Sequence, residues 1–247
     1  MPDRIDSIAA DMERRWIKVT EELADKYALI LKDYKAGAFT IEELAGFLAA
    51  QPPAELARGL GMQSNTNFLL NRYEEVLAGM VAHAPVTETF LASLQTLDAH
   101  IYEGINTKTA AEMQKAVFQA VVGDLNESQF RDLISTETLT PKQMNAQVND
   151  TIRTFQRSVQ TEQAQTGPEN LQWIWSGPLD DRTSDDCVMM IAEGPMTYAE
   201  WQASQWSWAL QSGTHFNCRH QLEAFVQQEQ IGEVKRAQSV EEGAVKL

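Results

Sequence analysis

Four side chains near the C-terminus have the chemistry to bind a metal ion: Cys187, His215, Cys218 and His220. They include both cysteines of the chain and two of its four histidines. Thiolate and imidazole are ligands that zinc prefers, and four of them form a closed tetrahedral site. The spacing His-x-x-Cys-x-His places three of the four within a span of six residues. The sequence therefore predicts a site for a metal, with zinc as the expected ion, that would stabilise a small, loop-rich region.

Simpler interpretations of the same residues stay open. Structural zinc sites usually contain closely paired ligands, and Cys187 has no close companion in the sequence. The two thiols could pack side by side or form a disulfide, although two cysteines in a cytosolic chain favour reduced thiols or a metal site. His215 could then do no more than hydrogen-bond Asp180 or Asp181.

The stretch 179–183, which reads LDDRT, is a second candidate group. Its residue types favour a tight turn in which carboxylate and hydroxyl oxygens cap backbone N–H groups. The functional alternative is a carboxylate pair that works with a nearby histidine. In that case Asp180, Asp181 and His215 would form the centre of a metal-dependent nuclease or transferase.

The first two thirds of the chain show helical periodicity. Apolar residues recur at steps of three or four from Ile5 to Tyr34, which predicts one long amphipathic helix ending near Gly37. Its apolar stripe could belong to the core or could dock on a partner protein. Thr40 and Glu43 form a capping box for a second, short helix.

The same periodicity predicts further helices over 65–84, 87–105, 107–122 and 141–159, and a cap at Asn126 introduces a short one. In the helix over 87–105, one face carries the apolar residues Phe90, Leu94, Leu97 and Ile101. After residue 170 the predicted elements are shorter. They are a strand over 172–176, a short helix that contains Cys187, and a helix over 198–210.

These patterns predict a mainly α protein. A helical N-terminal domain (1–165) is followed by a small α+β C-terminal module (171–228) that is rich in Cys, His and Trp and that a metal could stabilise. The polar stretch 163–170, which contains Gly-Pro, reads as the linker between them. Residues 229–247 form a polar C-terminal tail.

The charge of the chain limits its partners. Twenty basic and thirty-five acidic residues give a formal net charge of −15, which opposes binding to DNA through the whole surface. No apolar run approaches the ~20 residues that span a bilayer, and the N-terminus lacks the apolar segment of a signal peptide. We therefore expect a protein made in the cytoplasm that has no membrane association in its free state.

The order of residues from 175 to 220 resembles the C-terminal signature of the Mu F-like minor head proteins of tailed phages, also called the phage head morphogenesis family. A tryptophan is followed by Leu-Asp-x-Arg-Thr, a cysteine, a glycine and His-x-Asn-Cys-Arg-His. The residues that carry the resemblance are Trp175, Leu179, Asp180, Arg182, Thr183, Cys187, Gly194, His215, Asn217, Cys218, Arg219 and His220.

This chain departs from the family pattern at two places. The family often has a third cysteine where this chain has His220, which keeps a possible metal ligand but removes a thiol. Proline commonly precedes the first histidine of the motif, and here Ser212-Gly-Thr214 stands instead.

The resemblance implies a minor capsid protein rather than an enzyme. Such a protein resides in the virion in few copies, binds the portal protein and the major capsid protein, and assists head assembly and genome packaging or ejection, with contact to packaged DNA as a further expectation. Related C-terminal modules also accompany toxin domains. The resemblance therefore leaves the enzymatic alternative with Asp180, Asp181 and His215 open.

Overall fold

The structure is a computed structural model that describes residues 2–59, 61–80 and 86–225. The chain forms two compact units. The described residues of the N-terminal unit are 2–59, 61–80 and 88–153, and those of the C-terminal unit are 86–87 and 154–225. The fold is mainly helical with a small antiparallel sheet, as the sequence predicts. The domain limits at 165 and 171 stay predictions, and the predicted tail over 229–247 lies outside the described residues.

Helices make up the described part of the N-terminal unit. They are α1 Pro2–Lys35, α2 Ile41–Ala49, α3 Pro53–Gly59, α4 Met62–Ala78, α5 Glu88–Val122, α6 Glu127–Glu137 and α7 Pro141–Thr166. The division between the two units falls within α7, so this helix contributes residues to both.

The apolar stripe of α1 belongs to the core of the N-terminal unit. Ile5, Met12, Trp16 and Leu23 are each at most 2% exposed, and α1 contacts α4, α5 and α6. Burial of one such side chain contributes about 1.5–3 kcal/mol to folding. The stripe is therefore core, and it is not available as a docking face for a partner.

The predicted helix starts are confirmed by their caps. The amide of Glu43 donates to Thr40 Oγ1 (3.2 Å), and the amide of Thr40 donates back to the Glu43 carboxylate (2.7 Å). Asn126 and Gln129 form the same reciprocal pair at the start of α6. Each cap is typically worth about 1 kcal/mol, because it satisfies amide groups that the helix itself leaves unbonded.

The helices predicted over 87–105 and 107–122 are one continuous helix, α5, and the apolar face predicted for its first half is not the face that the helix buries most deeply. Leu97 is 58% exposed and Ile101 is 39% exposed, whereas Asp98 and Asn106 are buried. Polar contacts with α4 set this rotation. The Tyr73 hydroxyl donates to Asp98, and Asn106 Nδ2 donates to the backbone carbonyl of Met62 in α4 (3.4 Å).

A three-stranded antiparallel sheet and short helices build the C-terminal unit after α7. The elements are β1 Gln172–Ser176, α8 Asp185–Ala192, β2 Met196–Thr197, α9 Tyr198–Ala203, α10 Ala209–Ser212 and β3 Gln221–Ala224, and the strand order is β2-β1-β3. The predicted strand over 172–176 is confirmed. The helix predicted over 198–210 is confirmed only for Tyr198–Ala203, which form α9. It ends there because the backbone becomes extended at Ser204, whose side chain accepts a hydrogen bond from the amide of Trp206 (3.1 Å).

Tryptophans form the core of the C-terminal unit. Trp173 and Trp175 of β1 and Trp201 of α9 are at most 2% exposed, and the indole N–H of Trp201 donates to the Trp173 carbonyl (2.9 Å). The same core contains the buried side chains of Cys187 and Cys218. The two cysteines thus lie within the packed interior of the unit. None of the described helices is long and apolar enough to cross a membrane.

The buried Asp98 makes the stability of the N-terminal unit depend on pH. Burial raises the pKa of Asp98 from 3.8 to about 6, and the hydrogen bond from Tyr73 opposes this shift only in part. The folded state therefore holds a proton that the unfolded state releases. We predict that the free energy of unfolding falls by up to about 3 kcal/mol as the pH rises from about 4 to about 6.

Urea unfolding of Asp98→Asn across this pH range tests the prediction. The variant keeps an acceptor for the Tyr73 hydroxyl but has no charge, so it should lose this pH dependence and be more stable than the wild type above pH ~6. Glu103→Gln, which changes an exposed acid of the same helix, serves as the control. An unchanged pH dependence in Asp98→Asn would contradict the assignment.

Candidate metal centre

Different segments of the C-terminal unit bring the predicted ligands together. Ser184 caps α8, and its Oγ accepts a hydrogen bond from the amide of Cys187 in the first turn (3.3 Å). Cys218 lies in the loop after α10, and His220 directly precedes β3. Pairing of β3 with β1 fixes the position of His220 beside the end of β1. The predicted short helix that contains Cys187 is confirmed as α8.

Cys187, Cys218 and His220 form a compact, buried group that could hold a metal ion, in which one ligand-type atom from each lies within 4.8 Å of the others. The two Sγ atoms are 3.6 Å apart, and Cys218 Sγ is 3.9 Å from His220 Nδ1. In a tetrahedral zinc site, Zn–S and Zn–N bond lengths place neighbouring ligand atoms about 3.8 Å (S to S) and about 3.6 Å (S to N) apart. These two distances match a tetrahedral zinc site closely, and the group could hold a metal ion.

The imidazole of His220 has an unmet bonding requirement. The residue is 2% exposed, and its Nε2 atom has no hydrogen-bond partner among the described residues. A buried polar atom without a partner costs about 1–3 kcal/mol. The ring nitrogen that faces Cys218 Sγ is Nδ1, so an ion held there would leave Nε2 as it is, and the metal-binding role rests on the positions of the two Sγ atoms and Nδ1.

The two thiols differ in acidity because they share one hydrogen bond, between Cys187 Sγ and Cys218 Sγ. This hydrogen bond, together with burial, raises the pKa of Cys187. The same hydrogen bond, with further bonds from His220 and from the backbone, lowers the pKa of Cys218. The pair therefore favours a thiolate at Cys218, and the thiolate is the form of cysteine that binds metals. Both cysteines are free thiols in this structure, so the disulfide alternative is not the arrangement observed.

A buried arginine that sequence reasoning missed lies beside this group. Arg157 of α7 is 1% exposed, and its guanidinium donates to the carbonyls of Gln211 (2.9 Å), Ser212 (3.1 Å) and Cys218 (2.7 Å). It fixes the loop that carries Cys218 and places a positive charge near the thiols. The apolar periodicity of α7 gives no sign of this role, because Arg157 is polar and lies off the apolar stripe.

His215, the fourth predicted ligand, lies outside the group. Its ring is exposed, and its Nδ1 atom lies 2.8 Å from the carbonyl of Phe216. The amide of Cys218 donates to the His215 carbonyl (3.1 Å), and Asn217 between them has a φ of 63°. This turn buries Cys218 while His215, at its other end, stays at the surface.

Asp180 caps a backbone N–H group of the turn at 180–183, as its residue type predicts. Its Oδ1 accepts a hydrogen bond from the amide of Arg182 (3.0 Å), and its own amide donates to Thr183 Oγ1 (3.0 Å). Arg219 forms a bidentate ion pair with the same carboxylate, in which Nη1 lies 2.8 Å from Oδ2 and Nη2 contacts Oδ1. The hydrogen bond from Arg219 is the largest of the effects that lower the pKa of Asp180 to about 2.

The proposed enzymatic centre is not assembled in the described part of the chain. Asp180, Asp181 and His215 do not form a group of metal ligands there. A carboxylate that is ionised and paired with arginine is also a poor general acid or base near neutral pH. The geometry therefore favours a structural role for the LDDRT stretch.

Comparison with known proteins gives no relative: no protein-family model, no curated protein and no solved structure matches this chain.

We predict that Gly177→Ala disrupts the metal centre. A Cβ atom at Gly177 would lie 2.5 Å from Cδ2 and 3.0 Å from Cα of His220, so the histidine would have to move. Loss of a correctly placed ligand should lower metal affinity by at least about tenfold. Metal titration and thermal melting of the purified variant measure the effect.

Gly194→Ala is the control for this prediction. Gly194 has a φ of 77°, and nothing lies within 4 Å of an added Cβ atom, so alanine strains the backbone without touching the centre. We expect this variant to lose about 1 kcal/mol of stability and to keep its metal affinity. Equal metal affinity in Gly177→Ala and the wild type would show that the position of His220 does not matter.

Proposed function

We propose that this chain is a minor head protein of a tailed bacteriophage, binding the portal protein or the inner capsid. The proposal starts from the residue order that resembles the Mu F-like family between positions 175 and 220. One observation carries it: signature residues that are distant in sequence are structural partners of one another. Asp180 pairs with Arg219, and Cys187 contacts Cys218.

Backbone geometry explains two further signature residues. Gly194 has a φ of 77° and Asn217 has a φ of 63°. Glycine and asparagine are the residues that tolerate this left-handed region best. A signature that meets the needs of backbone conformation, ion pairing and burial suits a structural protein better than an enzyme.

We infer that the ion held by this centre is zinc. Two thiols and an imidazole are the donor set that zinc prefers over harder cations. Cys187, Cys218 and His220 would hold the ion, which would link α8, the loop after α10 and the start of β3. This cross-link would supply stability that a unit of this size does not gain from its core alone.

The exposed surface of the C-terminal unit favours a protein partner. Leu179 is 65% exposed and Phe216 is 60% exposed, and they lie near the paired residues Asp180 and Arg219 in sequence. Exposed apolar side chains of this size are suited to contacts with another protein. The net charge of −15 opposes DNA as the main partner, so we assign the contact to portal or capsid protein.

We predict that the double variant Leu179→Ser with Phe216→Ser weakens binding of the full-length chain to the portal protein of the same phage. The loss of two apolar contacts should reduce affinity by at least about tenfold. Both side chains are exposed, so folding and metal content should not change. Leu97→Ser, which removes a 58% exposed leucine from the N-terminal unit, is the matched control.

Two measurements test the role as a minor head protein separately from the choice of Leu179 and Phe216 as the binding surface. Purified phage particles should contain the chain in a few copies by quantitative mass spectrometry. Absence from the particles, together with no binding to the portal protein, would contradict the function itself. Normal portal binding by the double variant would contradict only the choice of surface.

A further inference from the structure

The metal centre has three protein ligands in the described residues, whereas a structural zinc ion takes four. His215, which the sequence suggests as the fourth, is exposed and lies outside the group. The neighbouring Thr214 is only half-buried and lies against the thiols. It stands at the position where the Mu F-like signature commonly has proline.

The Thr214 hydroxyl is close to both sulfur atoms. Thr214 Oγ1 lies 2.9 Å from Cys187 Sγ and 3.7 Å from Cys218 Sγ. This side-chain oxygen is therefore within hydrogen-bonding distance of both thiols. An oxygen ligand in a tetrahedral zinc site would lie about 3.5 Å from each sulfur. Metal binding would thus require the oxygen to move away from Cys187 by about 0.6 Å, and its distance from Cys218 already fits.

A hydrogen-bond chain can orient this hydroxyl toward an ion. Ser184 Oγ lies 3.2 Å from Thr214 Oγ1 and can accept its proton. Ser184 is itself fixed, because it caps α8 and accepts the hydrogen bond from the amide of Cys187. With its proton directed at Ser184, the threonine oxygen presents a lone pair to the space beside the sulfur atoms.

We propose that Thr214 Oγ1 is the fourth ligand of the metal held by Cys187, Cys218 and His220. This inference rests on the metal centre of the proposed function and adds one ligand to it. The hydroxyl stays neutral and keeps its proton, so two thiolates balance the charge of a divalent ion. The centre is then a closed site of two sulfur, one nitrogen and one oxygen ligand, without an exchangeable position.

Cobalt substitution in the full-length chain tests the fourth ligand, because visible absorption of Co²⁺ reports on coordination. Thr214→Val keeps the shape of the side chain but has no lone pair. We expect it to shift the cobalt bands and to lower Co²⁺ affinity by at least about tenfold. Thr214→Cys should add a third thiolate, strengthen sulfur-to-cobalt absorption and raise affinity. His215→Ala is the matched control and should behave like the wild type.

The outcomes separate this inference from the proposed centre. A wild type that binds no Co²⁺ would contradict the centre and the fourth ligand together. If the wild type binds Co²⁺ but Thr214→Val has the same spectrum and affinity, or if His215→Ala changes them, only the fourth ligand is wrong. Should Thr214→Val fail to fold, Thr214→Cys decides: no added thiolate absorption overturns the inference.

Discussion

The C-terminal unit depends on the buried contact of two thiols with an imidazole. Cys187, Cys218 and His220 come from three segments and are all buried, and the two cysteines belong to the tryptophan-rich core of the unit. Polar groups in such a place stabilise a fold only when their bonding requirements are met. The two Sγ atoms and His220 Nδ1 lie close enough together to bind one ion, which would meet the requirements of all three atoms.

The surrounding structure places and holds this contact. Arg157 binds the loop that contains Cys218, and the ion pair of Asp180 with Arg219 joins the LDDRT turn to the segment between Cys218 and His220. Arg157 and the Asp180–Arg219 ion pair thus both hold the segment that contains Cys218. The signature that resembles phage minor head proteins is therefore understandable as a set of structural constraints, which is why we favour a structural role over catalysis.

Local patterns in the sequence predicted much of the fold and part of the site. The caps at Thr40 and Asn126 and the strand over 172–176 are confirmed, because each depends on neighbouring residues. The rotation of α5 and the role of Arg157 could not be predicted, since both depend on buried polar contacts between elements. Residue type alone also selected His215 as a ligand, although the turn at 215–218 leaves this histidine exposed.

Native mass spectrometry of the full-length chain, purified without chelator, tests the central claim most directly. We predict that the wild type carries one zinc ion per chain and that Cys218→Ala carries none. The N-terminal unit of the variant should remain folded, because its core contains none of the ligands. A wild-type mass without metal, with the two thiols free or joined as a disulfide, would contradict the account. So would a zinc ion that remains bound after loss of Cys218.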